Sequence, residues 1–310
     1  TWLALFVVLA ALVVMGGVQK GIEKVSKILM PVLIALSIGM AIYIITLPGA
    51  GAGVEYYLKP DFLKLNVKVI AAAAGQLFYS MSLAMGIMIT YGSYMKKDNN
   101  IESSVRQIEI FDTLVAFLSG LIIVPAVFVF SGGNEKALGE GPGLMFVTLP
   151  KVFTNMNYGN VIGVLFFILV FFAAITSAIS MMETLVSILD EKLKWGRKKV
   201  CLLVVVITMI FAIPSSLGFG VLDGIKIMGM SILDFFDFIS NSVLMPIVAL
   251  LTCVLVGYVL KPSFLIQEIE ADHVFKAKKF YTILVKFIAP IFLLIILISS
   301  ILKSLGYMSI

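Results

Sequence analysis

The stretch GQLFYSMSLAMG, Gly75 to Gly86, lies inside a long apolar region, yet it carries glycines at both ends, two serines and irregularly spaced methionines. A continuous helix over residues 66–95 would put Gly75, Ser80, Ser82 and Gly86 at its middle. There Gly lowers helix stability by about 1 kcal/mol relative to Ala, and Ser by about half of that. The region is also longer than the roughly 20 residues one straight span needs. In a bilayer, unwound backbone is tolerated only where it is buried in protein or lines a cavity, because freed N–H and C=O groups need partners. The stretch therefore predicts a broken helix over 66–95. Its two halves meet near the midplane and offer backbone carbonyls, a positive helix end and the Ser80 and Ser82 hydroxyls to a ligand. A second reading, small residues that let helices pack closely, stays open on this stretch alone.

Working outward, composition sets the solvent. The 310 residues are 61% hydrophobic and 13% charged, with a mean hydropathy of +1.10, which places the chain in a membrane. Runs such as VIGVLFFILVFFAAI do not alternate apolar and polar, so the spans are helices and not barrel strands. Eight are expected, at 1–16, 28–48, 66–95, 107–131, 159–190, 199–217, 230–260 and 281–302. Thr1 leads directly into the first span with no charged segment before it, so no signal peptide is expected.

Orientation follows from the basic residues of the loops. With loops 17–27, 96–106, 191–198 and 261–280 placed in the cytoplasm, the inner side holds fifteen of the 23 Lys and Arg and the outer side seven. That bias sets KWGRKK and HVFKAKK inside and predicts a multi-pass protein of the cytoplasmic membrane. It also accounts for the net charge of +5 without a nucleic-acid partner. Cys201 and Cys253 fall in spans and His273 is the only histidine, so no Cys/His metal site or Cys–His or Ser–His nucleophile pair can be assembled within the chain. A phosphate loop ending in GK[ST] is absent, which disfavours an ATP-driven pump.

Three further segments carry polar groups into the membrane. In IFDTLVAFLSGLIIVP, Asp112 stands near the outer third of a predicted helix, where an unpaired carboxylate would cost roughly 3 kcal/mol. Facing a cavity, it is a hard-oxygen ligand for a cation; at headgroup level, it is a solvated charge. In VFFAAITSAISMMETL, Ala173, Thr176 and Ser177 stand at i, i+3 and i+4 and share one helix face. Hydroxyls and a freed carbonyl there form a partial cage of neutral oxygens suited to Na⁺, whereas Mg²⁺ and Ca²⁺ usually recruit carboxylates. The same hydroxyls can instead bond back to the preceding turn. In LDFFDFISNSVLMP, Asp237 sits at the outer mouth of a span, either as a solvated helix-start charge or as half of a gate.

These segments resemble the neurotransmitter:sodium symporter family in its bacterial branch. GQLFYSMSLAMGIMITYGSYMKKD resembles that family's broken sixth helix, FFAAITSAI its eighth, GLMFVTLPKVF (Gly143 to Phe153) its re-entrant outer hairpin, and KGIEKVSKILMP (Lys20 to Pro31) the junction of its fourth and fifth helices. The likeness covers essentially the whole chain. It implies an all-α polytopic membrane protein with the inverted-repeat fold of the bacterial leucine transporter type, lacking the first three helices. Residues 1–310 then form one transmembrane domain, with 1–48 from the first repeat, 66–260 as the second inverted repeat and 281–310 as the last helix.

The resemblance also assigns roles. It implies that Tyr79 and Ser80 offer main-chain carbonyls, and Ser82 its hydroxyl, to the amino group of an amino-acid substrate. Ser80 and Asp112 would ligate the first sodium, and Ala173, Thr176 and Ser177 the second. Both sites would be incomplete without the first helix. Tyr79, Met85, Ser177 and Met181 would line the side-chain pocket, and flexible methionines suit a bulky apolar or aromatic amino acid. The family more often has Asn where Asp112 stands, and Ala116 replaces the serine of chloride-dependent members, so no chloride is expected. Asp237 would be the outer gate, and Tyr94 with Asp190 or Glu191 the inner one. Two other readings remain: a non-transporting fragment or scaffold, and a polytopic membrane enzyme using Glu268, Glu270, Asp272 and His273 of EIEADH, an acidic run that otherwise reads as a solvated loop.

Overall fold

The computed structural model describes residues 1–96, 99–134, 138–139, 141–270 and 274–304. Among them the chain is helical, with a single isolated β-bridge between Ile227 and Met230. Among the described residues, six helices are long and apolar enough to cross a membrane. In chain order the elements are α1 (Trp2–Met15), α2 (Gly21–Ile45), α3 (Ala50–Leu58), α4 (Val67–Ser80), α5 (Ile87–Ser93) and α6 (Ile101–Ser131). There follow α7 (Leu149–Thr154), α8 (Gly159–Leu193), α9 (Arg197–Leu217), α10 (Ile232–Val259), α11 (Pro262–Ile269) and α12 (Lys278–Leu302). The six spans are α2, α6, α8, α9, α10 and α12; α1 is a shorter apolar helix, and the expected span 66–95 is the pair α4 and α5.

The spans present apolar side chains outward. On α9, Leu202, Val206 and Ile210 are exposed while Val200, Cys201 and Val204 are buried, as expected for a helix with protein on one face and lipid on the other. The segment resembling a re-entrant hairpin is helical, entering α7 through a π-helical turn at Leu144–Thr148. Two short helices, α3 and α11, were not anticipated. Both are under ten residues, too short to show a clear apolar period.

The chain divides into two compact units. One comprises Val8–Phe62 and Ile110–Glu183; the other comprises Thr1–Val7, Leu63–Glu109 and Thr184–Ile310. In the first, Ile44 of α2, Ile122 of α6, Leu149, Val152 and Phe153 of α7 and Phe166 of α8 share one buried cluster. The Tyr43 hydroxyl donates to the Asn157 carbonyl at 2.5 Å and ties α2 to the turn before α8. Helix α3 lies flush on α6, since a Cβ on Gly53 would stand 2.5 Å from Pro125 Cα and 3.0 Å from Phe128 Cβ. In the second unit, α10 packs on α12, α9 on α10, and α4 on α12.

This contact at Gly53 gives a direct test. Gly53→Ala places a methyl group against backbone that cannot yield easily and is expected to cost about 1–3 kcal/mol. Gly51→Ala on the same helix meets nothing within 4 Å and is expected to be neutral or to stabilise by up to about 1 kcal/mol. Thermal denaturation of the two variants in detergent checks the pair; equal melting temperatures would contradict the close approach.

Candidate functional site

The helical ladder fails inside the quoted stretch. Helix α4 starts on an Asn66 cap, whose side chain accepts from the Val69 N–H at 3.0 Å, and runs to Ser80. The Ser82 N–H then bonds to the Tyr79 carbonyl at 3.0 Å and the Leu83 N–H to the Phe78 carbonyl at 3.2 Å. The ladder resumes with Thr90 N–H to the Gly86 carbonyl at 2.9 Å. Ser82 and Ala84 take positive φ, 54° and 62°, which costs a non-glycine residue roughly 1–2 kcal/mol each. Gly86 caps α5 at φ 77°, where the absence of a Cβ removes that cost. The break is a turn over 81–86 between two half-helices, with Tyr79 and Ser80 at the end of the first and Ser82 and Met85 half-buried within it.

The two glycines of the stretch act differently. A Cβ on Gly75 would make only ordinary contact, 4.0 Å from Ile296 Cγ2 of α12, whereas one on Gly86 would stand 3.1 Å from the Thr184 methyl of α8. Close packing thus accounts for Gly86, where α5 begins against α8, and not for Gly75. Thr184 is itself buried.

On α8, Thr176 is buried and its hydroxyl donates to the carbonyls of Phe172 and Ala173, both at 3.0 Å. The Ser180 hydroxyl donates to the Thr176 carbonyl at 3.1 Å. The Thr176 hydroxyl thus bonds back to the preceding turn, the second of the two readings its spacing allowed. The hydroxyl oxygen, which donates its proton in these bonds, keeps lone pairs for a cation. Ser177 and Met181 are exposed on the same helix.

Asp112 is half-buried in α6. That helix starts at Ile101, six residues before the expected 107. Asp112 consequently lies about 16 Å along the helix, at 1.5 Å per residue, just past its first third. The polar run IESSVRQIEI hides the first turns of a helix that begins before the membrane-like composition does.

At the gates, Asp237 is exposed in the first turns of α10 and accepts from the Asn241 side chain at 2.6 Å. A π-helical segment, Phe238–Leu244, follows it at once; such widened turns often mark functional positions. Asp190 is committed to the end of α8, its carboxylate accepting from the Gly196 N–H at 3.0 Å. Glu191 is exposed beside it, and Tyr94 closes α5 in edge contact with Tyr91, ring centroids 6.4 Å apart. Of the acidic run proposed for an enzyme, Glu270 pairs with Lys278 at 2.6 Å, and Asp272 and His273 lie outside the described residues.

One residue escaped the sequence reading. Glu183 is fully buried in α8, seven residues after Thr176 and so on nearly the same helix face. A carboxylate inside the apolar run SAISMMETLVSI was the available signal.

The comparisons with known proteins follow the same lines. The sequence model of the sodium:neurotransmitter symporter family matches residues 1–309. The chain belongs to this family. An uncharacterized sodium-dependent transporter of Haemophilus influenzae is 36% identical over 297 residues, 96% of this chain and 64% of the relative. The uncharacterized sodium-dependent transporter YhdH of Bacillus subtilis is 36% identical over 296 residues, 95% of this chain and 65% of the relative. The chain thus spans about two thirds of the length of these relatives. The crystal structure of MhsT in complex with L-phenylalanine superposes with a TM-score of 0.84 at 39% identity, covering 96% of this chain and 67% of that one. The fold is therefore the inverted-repeat fold of the leucine-transporter type. The family is one of multi-pass membrane transporters and not of enzymes.

The break should respond to its glycines unequally. Gly86→Ala, forced to φ 77° and against Thr184, is expected to cost about 1–2 kcal/mol or more. Gly75→Ala in α4 is expected to be tolerated or to stabilise slightly. Denaturation midpoints in detergent distinguish them, and an equal response at both sites would contradict the observed geometry.

Proposed function

We propose that the chain forms the larger part of a sodium-coupled symporter of the cytoplasmic membrane that carries a bulky apolar or aromatic amino acid by alternating access. The observation that carries this reading is the turn at 81–86 between two half-helices, in a family of sodium symporters, with oxygen-bearing residues at its edge. MhsT, bound to L-phenylalanine, supports the substrate class.

In this reading, Tyr79 and Ser80 present carbonyls and Ser82 its hydroxyl to the substrate amino group. Ser80 and Asp112 each contribute an oxygen to one sodium. Ala173, Thr176 and Ser177 serve a second sodium, with Thr176 giving up its back-bond for the ion. Met85, Ser177, Met181 and Tyr79 shape the side-chain pocket. Asp237 acts at the outer gate. Tyr94 with either Asp190 or Glu191 acts at the inner one. The charge at Asp112 and the apolar Ala116 favour chloride independence. The four basic loops face the cytoplasm, and 1–48, 66–260 and 281–310 are the first-repeat portion, the second repeat and the last helix. The remaining third of the family's length would complete both sodium sites.

Sodium must bind one conformation better than the other to drive transport, and sharing ligands or field with the substrate supplies that difference. In proteoliposomes of the complete protein, labelled phenylalanine uptake is expected to need an inward sodium gradient and to persist when chloride is replaced by gluconate. Asp112→Ala is expected to weaken sodium-dependent binding about tenfold, the scale of a lost charged ligand. Uptake without sodium would contradict the symporter reading, and unchanged sodium dependence would remove Asp112 from the site.

A further inference from the structure

The seam where α10 ends, α11 begins and α12 enters the membrane holds a cavity of about 400 Å³, bordered by Tyr258, Lys261, Ser263, Ile266, Thr282 and Lys286. We propose that this cavity binds the phosphate of an anionic phospholipid headgroup.

Its position follows from the spans. Helix α10 ends at Val259 and α12 starts at Lys278, so the cavity sits where two consecutive spans leave the bilayer. Lys286 stands eight residues into α12, about 12 Å from its start. A lysine at that depth must carry its charge back toward the interface. The structure provides a path. Gly257 is buried, and a Cβ there would stand 3.5 Å from Lys286 Cγ, so the lysine stem lies along a groove left by the glycine. The ammonium then sits 5.7 Å over the ring of Tyr258, a cation–π contact. The Tyr258 hydroxyl donates to the Lys286 carbonyl at 2.8 Å, which fixes the ring beneath the charge.

Lys261 supplies the second charge. It is held at φ 64° directly before Pro262, the first residue of α11. Lys261 and Lys286 thus border one cavity, and among the described residues its lining includes no carboxylate. The nearby Glu270 is engaged with Lys278 at 2.6 Å and accepts from the Phe275 N–H at 3.2 Å. Two like charges bordering one cavity favour an anion between them. The exposed Ser263 hydroxyl adds a neutral donor, and Ile266 and Pro262 give an apolar wall for the glycerol and first acyl carbons. A phosphodiester joined to an apolar tail matches that combination at a membrane boundary.

The test uses the purified chain in neutral detergent, with phosphatidylglycerol, phosphatidylcholine and inorganic phosphate as separate additions. Bound lipid is read by native mass spectrometry and thermal stability in parallel. Phosphatidylglycerol is expected to be retained and to raise the melting temperature, while phosphatidylcholine is not. Lys261→Gln and Lys286→Gln are each expected to weaken retention about fivefold. Lys276→Gln with Lys279→Gln, exposed positions outside the cavity, is expected to leave it unchanged, as is the charge-conserving Lys261→Arg. The Arg variant keeps the test valid if a Gln variant folds poorly. Equal retention in the wild type and both Gln variants would overturn the site. Displacement of the lipid by millimolar inorganic phosphate would reassign the cavity to a soluble phosphate and overturn the lipid assignment.

Discussion

Backbone hydrogen bonding inside lipid is the constraint on which the structure depends. Each unpaired N–H or C=O in the hydrocarbon region costs several kcal/mol, so a long apolar chain has every reason to stay helical. This chain departs from that rule between Ser80 and Ile87, and it does so with two non-glycine residues at positive φ. The departure is held from the side: α4 packs on α12, and α5 begins against Thr184 of α8 at a position only glycine fills comfortably. A local cost that persists because neighbouring elements over-determine it points to function.

Much of this was legible in the sequence because it rests on composition and on residues with strong backbone preferences. Lipid demands long apolar helices, and all eight expected spans correspond to helices, one of them broken where Gly86, Ser82 and Ser80 concentrate. The legible part ends where polarity and helicity part company. IESSVRQIEI reads as loop by hydropathy, yet it is the first turns of α6, because a helix need not end where the bilayer does. That shift moved Asp112 along its helix. The short helices α3 and α11 were hidden for a related reason, since nine or fewer residues cannot establish a period, and α3 carries two glycines.

The candidate site was legible by residue type and less so by bonding. Nothing in FFAAITSAI distinguishes a hydroxyl that waits for a cation from one that bonds to its own helix, and the structure shows Thr176 doing the latter toward Phe172 and Ala173. The two states are close in chemistry: the same oxygens converge, and a cation replaces a proton donor. For Asp190 and Glu191 the structure adds a detail that no spacing rule carries: the Asp190 carboxylate accepts from the Gly196 N–H. Glu183 was overlooked because the hydroxyls of Thr176 and Ser177, earlier in the same span, drew the reading. Its burial two turns from Thr176 places a carboxylate on the oxygen-bearing face of α8.

The central claim is that sodium and an amino acid are coupled through the turn at 81–86. Linkage requires that if sodium tightens substrate binding by some factor, substrate tightens sodium binding by the same factor. The decisive measurement is therefore the affinity for labelled phenylalanine across a sodium titration, paired with sodium affinity across a phenylalanine titration, in the complete protein. The account predicts two equal coupling factors, both well above one. Substrate affinity that ignores sodium, or sodium affinity that ignores substrate, would contradict it.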